Sequence, residues 1–117
     1  AGLAVQVNED MMDAVTALSG SGPAYFFFFV EILLKAAGDA GLNRDVAERL
    51  LFQTVSGAAE MLIKSGHSPE RLREMVTSPG GTTEAALKCF QKHDLAGTIS
   101  EGFREAVQQS KRLRQKD

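Results

Sequence analysis

Residues 25–34 constrain the fold of this chain more than any other part of the sequence. They read YFFFFVEILL, so a helix formed by them carries apolar side chains on almost every side. A helix that is apolar all round has to be buried all round. A single domain of this size encloses few helices completely, because small domains bury only a modest share of their surface. The helix is therefore either ringed by other helices of its own chain or covered by a second chain, and we favour the second chain.

The spacing of apolar residues, together with capping and breaking residues, predicts an all-α bundle of about five to six helices. Asn8 and Asn43 are good N-caps, and Pro69 suits the first position of a helix. Gly41 and Gly66 are typical of positions just after a helix end. The expected helices cover residues 8–18, about 23–40, 44–65, 68–76, a segment that begins at residue 84, and 94–114.

Composition and charge narrow the possible functions. The chain has 117 residues, 44% apolar and 24% charged, which is ordinary for one globular domain. A net charge of −2 offers no electrostatic footprint for nucleic acid. The longest apolar run, residues 24–30, is far shorter than the ~20 residues that span a bilayer, and the N-terminus lacks a signal-peptide pattern. A single cysteine suits a reducing compartment, so we expect a cytoplasmic protein without nucleic-acid or membrane partners.

Two glycine-rich interruptions are the candidate chemical sites. Residues 78–83 read SPGGTT and lead directly into a helix, whose first backbone N–H groups can bind a carboxylate or phosphate. Thr82 or Thr83 could cap that helix, and the spare hydroxyl could contact a ligand. Residues 19–22 read SGSG; they are expected to interrupt the first helix, with Pro23 opening the next. From residue types alone, we favour an interhelical turn without a ligand for residues 78–83. Residues 19–23 could be an anion-binding turn or a place where two backbones approach closely with nothing bound, and we favour the latter.

The remaining candidates indicate no chemistry by themselves. His67 and His93 lie 26 positions apart, without the spacing of metal ligands, and are expected at the surface. Cys89 is expected to be a small core residue, since nothing adjacent would activate its thiol. The four methionines are expected to fill a core or an interface. No metal site, dinucleotide fingerprint or catalytic triad is indicated.

Residues 13–25, DAVTALSGSGPAY, together with residues 77–83, TSPGGTT, closely resemble pyrroline-5-carboxylate reductase. The likeness covers nearly the whole chain but matches only the helical C-terminal domain of that family. Residues 1–7 alternate like a short strand that has no partner here, and they fit the end of a missing N-terminal nucleotide-binding domain or a linker. Residues 8–117 then form a helical dimerisation and substrate-binding domain.

The resemblance implies a function for the intact protein. Family members reduce 1-pyrroline-5-carboxylate to L-proline, the last step of proline biosynthesis, with NADPH or NADH bound mainly by the N-terminal domain. The helical domains of two subunits interlock in a homodimer, and some members assemble dimers into larger rings. This chain alone is then expected to be inactive. The alternative is a stand-alone helical dimerisation or small-acid-binding module without catalysis.

The resemblance also implies roles for individual residues. Gly80, Gly81, Thr82 and Thr83 correspond to positions whose backbone amides hold the substrate carboxylate. Thr83 falls where the family places a hydroxyl near the ring nitrogen, which makes it the catalytic candidate. Two further residues line the substrate site: Val76 and Ser78. Four residues would lie near the reactive end of the cofactor: Ser19, Gly20, Ser21 and Gly22.

Overall fold

The computed structural model describes residues 7–115 and is helical through nearly all of that range. The six α-helices are α1 (Met12–Val15), α2 (Gly22–Asp39), α3 (Arg44–Lys64), α4 (Pro69–Met75), α5 (Thr82–Lys92) and α6 (Leu95–Gln115). A 3-10 turn (Glu9–Met11) precedes α1, and a π-helix (Thr16–Gly20) follows it. The predicted all-α class is confirmed. Residues 1–6 of the predicted strand lie outside the described residues.

Local sequence determines where the middle helices begin. The Asn43 side chain accepts hydrogen bonds from the amides of Asp45 (2.8 Å) and Val46 (3.4 Å), and thereby caps α3. The Ser68 hydroxyl accepts from the amide of Arg71 at 3.1 Å and caps α4. These side chains satisfy amides that the first turn of a helix leaves without partners. Both helix starts agree with the sequence prediction.

Gly41 and Gly66 end α2 and α3 as predicted. Their φ angles are +100° and +77°, in the left-handed region that a residue without Cβ enters at little cost. The amide of Leu42 donates to the Ala37 carbonyl at 3.0 Å, which closes the end of α2. This is the ordinary way in which a glycine stops a helix.

Two predicted boundaries are wrong, and one predicted cap lacks its hydrogen bond. The helix does not break at Ser19 but continues as a π-helix to Gly20, so that α2 starts at Gly22 rather than Pro23. Helix α5 starts at Thr82, two residues before the predicted start. Asn8 precedes the first turn in an extended conformation, yet its side chain makes no capping hydrogen bond.

The described residues divide into two compact units. Unit 1 comprises residues 7–27 and 94–115, and in it the π-helix contacts both α1 and α6. Unit 2 comprises residues 28–93, which hold the remainder of α2 together with α3, α4 and α5.

Few hydrophobic side chains of the described range are buried within one copy of the chain. They are Ala17, Leu34 and Ala47. The phenylalanines at positions 26–29, which we call the aromatic segment, remain 45% to 68% exposed. The prediction that one chain leaves this helix uncovered is therefore confirmed. The four methionines are also exposed, which excludes a place in the core of a single chain.

The exposed helical stretch Glu9–Asp39 is long and apolar enough to cross a membrane, judged by length and composition only. Its most apolar window has a mean hydropathy of 1.4. These two properties are shared by helices that span a bilayer and by helices that are buried against protein. Length and composition thus indicate that something covers this stretch, but they do not distinguish a bilayer from protein.

Candidate functional site

The first candidate segment, in unit 2, is a tight turn that joins α4 to α5. The Gly81 amide donates to the Ser78 carbonyl at 3.0 Å, which closes a four-residue turn. Pro79 occupies its second position, and Gly80 occupies the third with φ +73°. This is the geometry of a type II turn, in which the third residue needs a positive φ. A Cβ on Gly81 would lie 3.2 Å from the Ser78 carbonyl oxygen, so glycine also fits closely at the last position.

The turn delivers the chain into α5 without a capping side chain. Gly81 is the N-cap residue, so the expectation that a threonine caps this helix is wrong. The Thr82 and Thr83 amides belong to the first turn, where backbone donors lack partners within the helix. Within residues 7–115, neither threonine hydroxyl makes a hydrogen bond. The start of α5 therefore presents backbone donors, the positive end of the helix dipole and two free hydroxyls.

Glu84 is a member of this site that sequence reasoning missed. Its Oε1 accepts a hydrogen bond from the Gly80 amide at 3.2 Å, and Lys88 forms an ion pair with the same oxygen at 3.4 Å. The sequence held a local signal for these contacts, because Glu84 lies four residues after Gly80 and four residues before Lys88. Because the Gly80 and Gly81 amides are both engaged inside the chain, Thr82 and Thr83 are the two of the four predicted residues whose amides are left for a ligand.

Neither of the two predicted wall residues lines the groove between α4 and α5. Val76 follows α4 and is 67% exposed, and Ser78 is exposed at the start of the turn. An open groove of about 470 Å³ lies between α4 and α5, but neither residue lines it. The lining is mostly polar and comprises Arg71, Arg73, Glu74, Thr77, Glu84, Leu87, Lys88 and Gln91. Two of these lining residues adjoin the turn: Thr77 directly precedes it, and Glu84 accepts a hydrogen bond from its Gly80 amide.

The second candidate segment lies in unit 1, at the junction of the π-helix and α2. Ser19 and Gly20 are exposed, Ser21 is partly exposed, and Gly22 is buried. The Ser19 hydroxyl donates to the Val15 carbonyl at 3.0 Å. The Ser21 hydroxyl makes no hydrogen bond to any other described residue. The segment is thus helical up to Gly20 and leaves one serine hydroxyl available.

A buried carboxylate beside the π-helix was not singled out from the sequence. Asp13 is 4% exposed and accepts hydrogen bonds from Ser110 (2.8 Å) and Arg114 (2.7 Å) of α6. The bonds from Arg114 and then Ser110 hold the pKa of the Asp13 carboxyl below its ordinary value. The Arg114 side chain is 57% exposed, so water screens the pair. The pair joins parts of the chain 101 residues apart, which no local pattern reveals.

The thiol and the imidazoles take surface positions. His67 and His93 are exposed, as predicted. Cys89 is exposed as well, so its predicted place in the core is wrong. Its Sγ lies 3.9 Å from His93 Nδ1, one helical turn away. No group of three or more metal-ligating side chains occurs among residues 7–115.

Comparison with known proteins gives consistent matches over this whole region. The family model for pyrroline-5-carboxylate reductase dimerisation matches residues 9–113. Pyrroline-5-carboxylate reductase 2 of Bacillus subtilis is 43% identical over 97% of this chain and 41% of its own length. The pyrroline-5-carboxylate reductase of Pseudomonas aeruginosa is 46% identical over 91% of this chain and 39% of its own length.

A solved structure is similar in fold as well as in sequence. The pyrroline carboxylate reductase of Plasmodium falciparum, crystallised with NADP bound, superposes with a TM-score of 0.91 and 35% identity. The match covers 96% of this chain and 43% of that protein. The chain thus spans about two fifths of the length of the relatives that it matches.

Proposed function

Because the chain belongs to the pyrroline-5-carboxylate reductase family, in which it matches the dimerisation domain, we propose that it is the helical C-terminal part of such an enzyme. The whole protein would reduce 1-pyrroline-5-carboxylate to L-proline with NADPH or NADH. This part would supply the dimer interface and the loop that holds the substrate carboxylate. The observation that carries the proposal is the uncapped start of α5 behind a Pro-Gly turn.

The amides of Thr82 and Thr83 would hold the substrate carboxylate. Both belong to the first turn of α5, where the dipole favours a negative charge. A carboxylate held by two fixed donors orients the planar ring, and such orientation lowers the barrier to reaction. The amide of Gly80 joins them only when the carboxylate displaces Glu84 from it, since the two carboxylates compete for one donor. Gly81, Ser78 and Val76 would shape the surrounding wall.

Thr83 would act on the ring nitrogen. Its hydroxyl makes no hydrogen bond to any other described residue, so it is available to donate to or accept from the imine. A protonated imine has a more electrophilic carbon. A threonine hydroxyl has no pKa suited to giving up this proton freely, so Thr83 would position a water or the iminium rather than supply the proton alone.

The second segment would lie beside the cofactor. Ser19 and Gly20 are exposed, and the Ser21 hydroxyl is available, which fits contact with a polar nicotinamide amide or ribose. When bound, the nicotinamide supplies the hydride. What this chain contributes is a helical edge with small side chains, which lets a planar group approach the backbone closely. Gly22 lies behind this edge as the first residue of α2.

The aromatic segment would be covered by a second copy of the chain. Four adjacent phenylalanines, each at least 45% exposed, are a larger apolar surface than monomeric proteins usually leave open. The matching family model describes dimerisation, and a homodimer covers the same surface on both copies at once. We further infer assembly of dimers into rings, absence of membrane and nucleic-acid partners, and a cytoplasmic location.

The substitution Thr82→Pro tests the carboxylate site directly. Thr82 is the first residue of α5, where proline is tolerated because its missing N–H has no intrahelical role. The preceding Gly81 has φ −88° and ψ −178°, the extended conformation that a residue before proline prefers. The change therefore removes one carboxylate donor while the helix is retained. In the full-length enzyme, we expect kcat/KM for pyrroline-5-carboxylate to fall by about tenfold to a hundredfold, the worth of one charge-assisted hydrogen bond.

The matched control is Thr82→Ala, which removes the side chain and keeps the amide. Its kcat/KM for pyrroline-5-carboxylate should stay within about threefold of wild type. Equal losses in both variants would assign the effect to the side chain and reject the amide as a carboxylate donor. A wild-type enzyme that oxidises neither NADPH nor NADH with this substrate would reject the proposed activity itself.

A further inference from the structure

The hydrogen bonding at the end of the π-helix Thr16–Gly20 differs from that of an α-helix by one residue. The Ser21 amide donates to the Thr16 carbonyl, five residues earlier, at 2.9 Å. In an α-helix the same amide would donate to Ala17, four residues earlier. The Ala17 carbonyl instead accepts a hydrogen bond from the phenol of Tyr25 at 2.8 Å. The tyrosine thus occupies the acceptor that an α-helical arrangement would use.

The Ala17 carbonyl needs such a partner because the residue is sealed from water. Ala17 is 0% exposed, and a buried carbonyl without a donor is costly. Without the phenol, the donor that α-helical geometry would supply to this carbonyl is the Ser21 amide. The hydroxyl of Tyr25 already satisfies the Ala17 carbonyl. The Ser21 amide therefore keeps its hydrogen bond to the Thr16 carbonyl.

The same segment is held from its other end. Asp13, three residues before the π-helix, is fixed by Ser110 and Arg114 of α6. Because Asp13 is held in place, the residues before the π-helix do not rotate when the hydrogen bonding changes from the π to the α arrangement. The change would instead rotate the end of the π-helix and the residues that follow it by up to about 100°, the turn per residue of an α-helix. The segment affected includes Ser19 and Gly20 at the end of the π-helix and Ser21 and Gly22 after it.

We propose that Tyr25 is a positioning residue that holds the π-helix at Thr16–Gly20 in register, and thereby sets the direction in which Ser19, Gly20 and Ser21 face the nicotinamide cofactor. This inference rests on the proposed function, which places these residues beside the cofactor. Tyr25 itself acts through the Ala17 carbonyl and touches no reacting atom. π-Helical turns are frequent at functional sites, in keeping with this role.

The test is Tyr25→Phe in the full-length enzyme, which removes one oxygen atom and keeps the ring. We expect the KM for the nicotinamide cofactor to rise by about fivefold to tenfold, the effect of one neutral hydrogen bond. The KM for pyrroline-5-carboxylate should stay within about twofold, since the amides proposed to hold its carboxylate belong to α5 and not to the π-helix. A crystal structure of the variant should show the Ser21 amide paired with Ala17 instead of Thr16.

The matched control is Thr54→Val, which deletes a hydroxyl that donates to a backbone carbonyl at 2.7 Å in α3. It loses the same class of bond away from the π-helix, so both KM values should remain those of wild type. A merely structural role for Tyr25 would lower the melting temperature and leave the ratio of the two KM values unchanged, and that result overturns the inference. An unchanged cofactor KM, or a variant structure that retains the Ser21–Thr16 bond, also overturns it while the proposed function stands. A wild-type enzyme without reductase activity overturns both.

Discussion

Replacing Phe27 with alanine should weaken dimerisation by about three orders of magnitude. Phe27 leaves 68% of its surface exposed within one chain, which for an aromatic side chain is about 130 Å². Covering that area contributes about 3 kcal/mol per protomer, of which alanine retains about a third. A symmetric dimer loses the difference twice, about 4 kcal/mol in all. Since about 1.4 kcal/mol is a tenfold change in Kd, the dimer Kd rises about a thousandfold.

Sedimentation equilibrium of the 117-residue chain, from nanomolar to micromolar concentration, measures this Kd. Lys35→Ala is the control, because it removes a side chain that is 79% exposed on the same helix but carries a charge instead of a ring. Its Kd should lie within about threefold of wild type, as for most exposed charges. A Phe27→Ala chain that dimerises as tightly as wild type would refute the argument that a second copy covers the aromatic segment.

Three further outcomes are expected. Thr83→Ala in the full-length enzyme should lower kcat/KM for pyrroline-5-carboxylate by about tenfold to a hundredfold, while NADPH affinity in a fluorescence titration stays constant; an unchanged kcat/KM would remove Thr83 from catalysis. Thermal stability should fall as the pH drops below about 5, because the pKa of Asp13 is lowered in the folded state and the unfolded chain binds more protons. The Arg114→Gln chain should lose less over that range, and superimposable melting profiles would contradict the pair. Gly97→Ala should be nearly neutral, since a helix-propensity gain of about 1 kcal/mol is offset when its Cβ meets the Asp94 carboxylate that caps α6. In an Asp94→Gly background the same change should raise the melting temperature by about 4 °C or more, and equal effects in both backgrounds would exclude the clash.

The elements that could be predicted from the sequence are those with local causes. Asn43 and Ser68 cap their helices through amides two or three residues away, and Gly41 and Gly66 end helices through their own backbone angles. The Pro-Gly turn before α5 is local as well. The apolar helix at residues 25–34 is a local signal as well. Apolar side chains surround it, so covering one side of it within one chain leaves the other apolar sides exposed.

The elements that escaped prediction depend on distant or competing partners. The π-helix follows from a choice between two carbonyl acceptors, and Tyr25 decides it from eight residues away. Asp13 acquires its role from α6, almost at the other end of the chain. Cys89 looked like a core residue because it stands beside Phe90, but burial depends on what other segments supply, and in one copy they leave both exposed.

The turn before α5 was predicted in its position and not in its hydrogen bonding. The glycine and threonine pattern indicated this turn, and the family likeness implies a ligand for it. The two internal hydrogen bonds that engage Gly80 and Gly81 required coordinates, since the Glu84 side chain could equally have faced solvent. The pattern therefore indicated four amides where the structure leaves two without an internal acceptor.

One copy of the chain buries few hydrophobic side chains, so its folding is expected to depend on association with a second copy. Ala17, Leu34 and Ala47 bury too little hydrocarbon to offset the conformational entropy lost when the backbone becomes ordered. Folding of the proposed homodimer would then be second order, and its melting temperature would climb with protein concentration through mass action. A newly synthesised copy would stay open to proteases until it meets another. The yield of folded protein in a cell would therefore grow more steeply than the rate of synthesis.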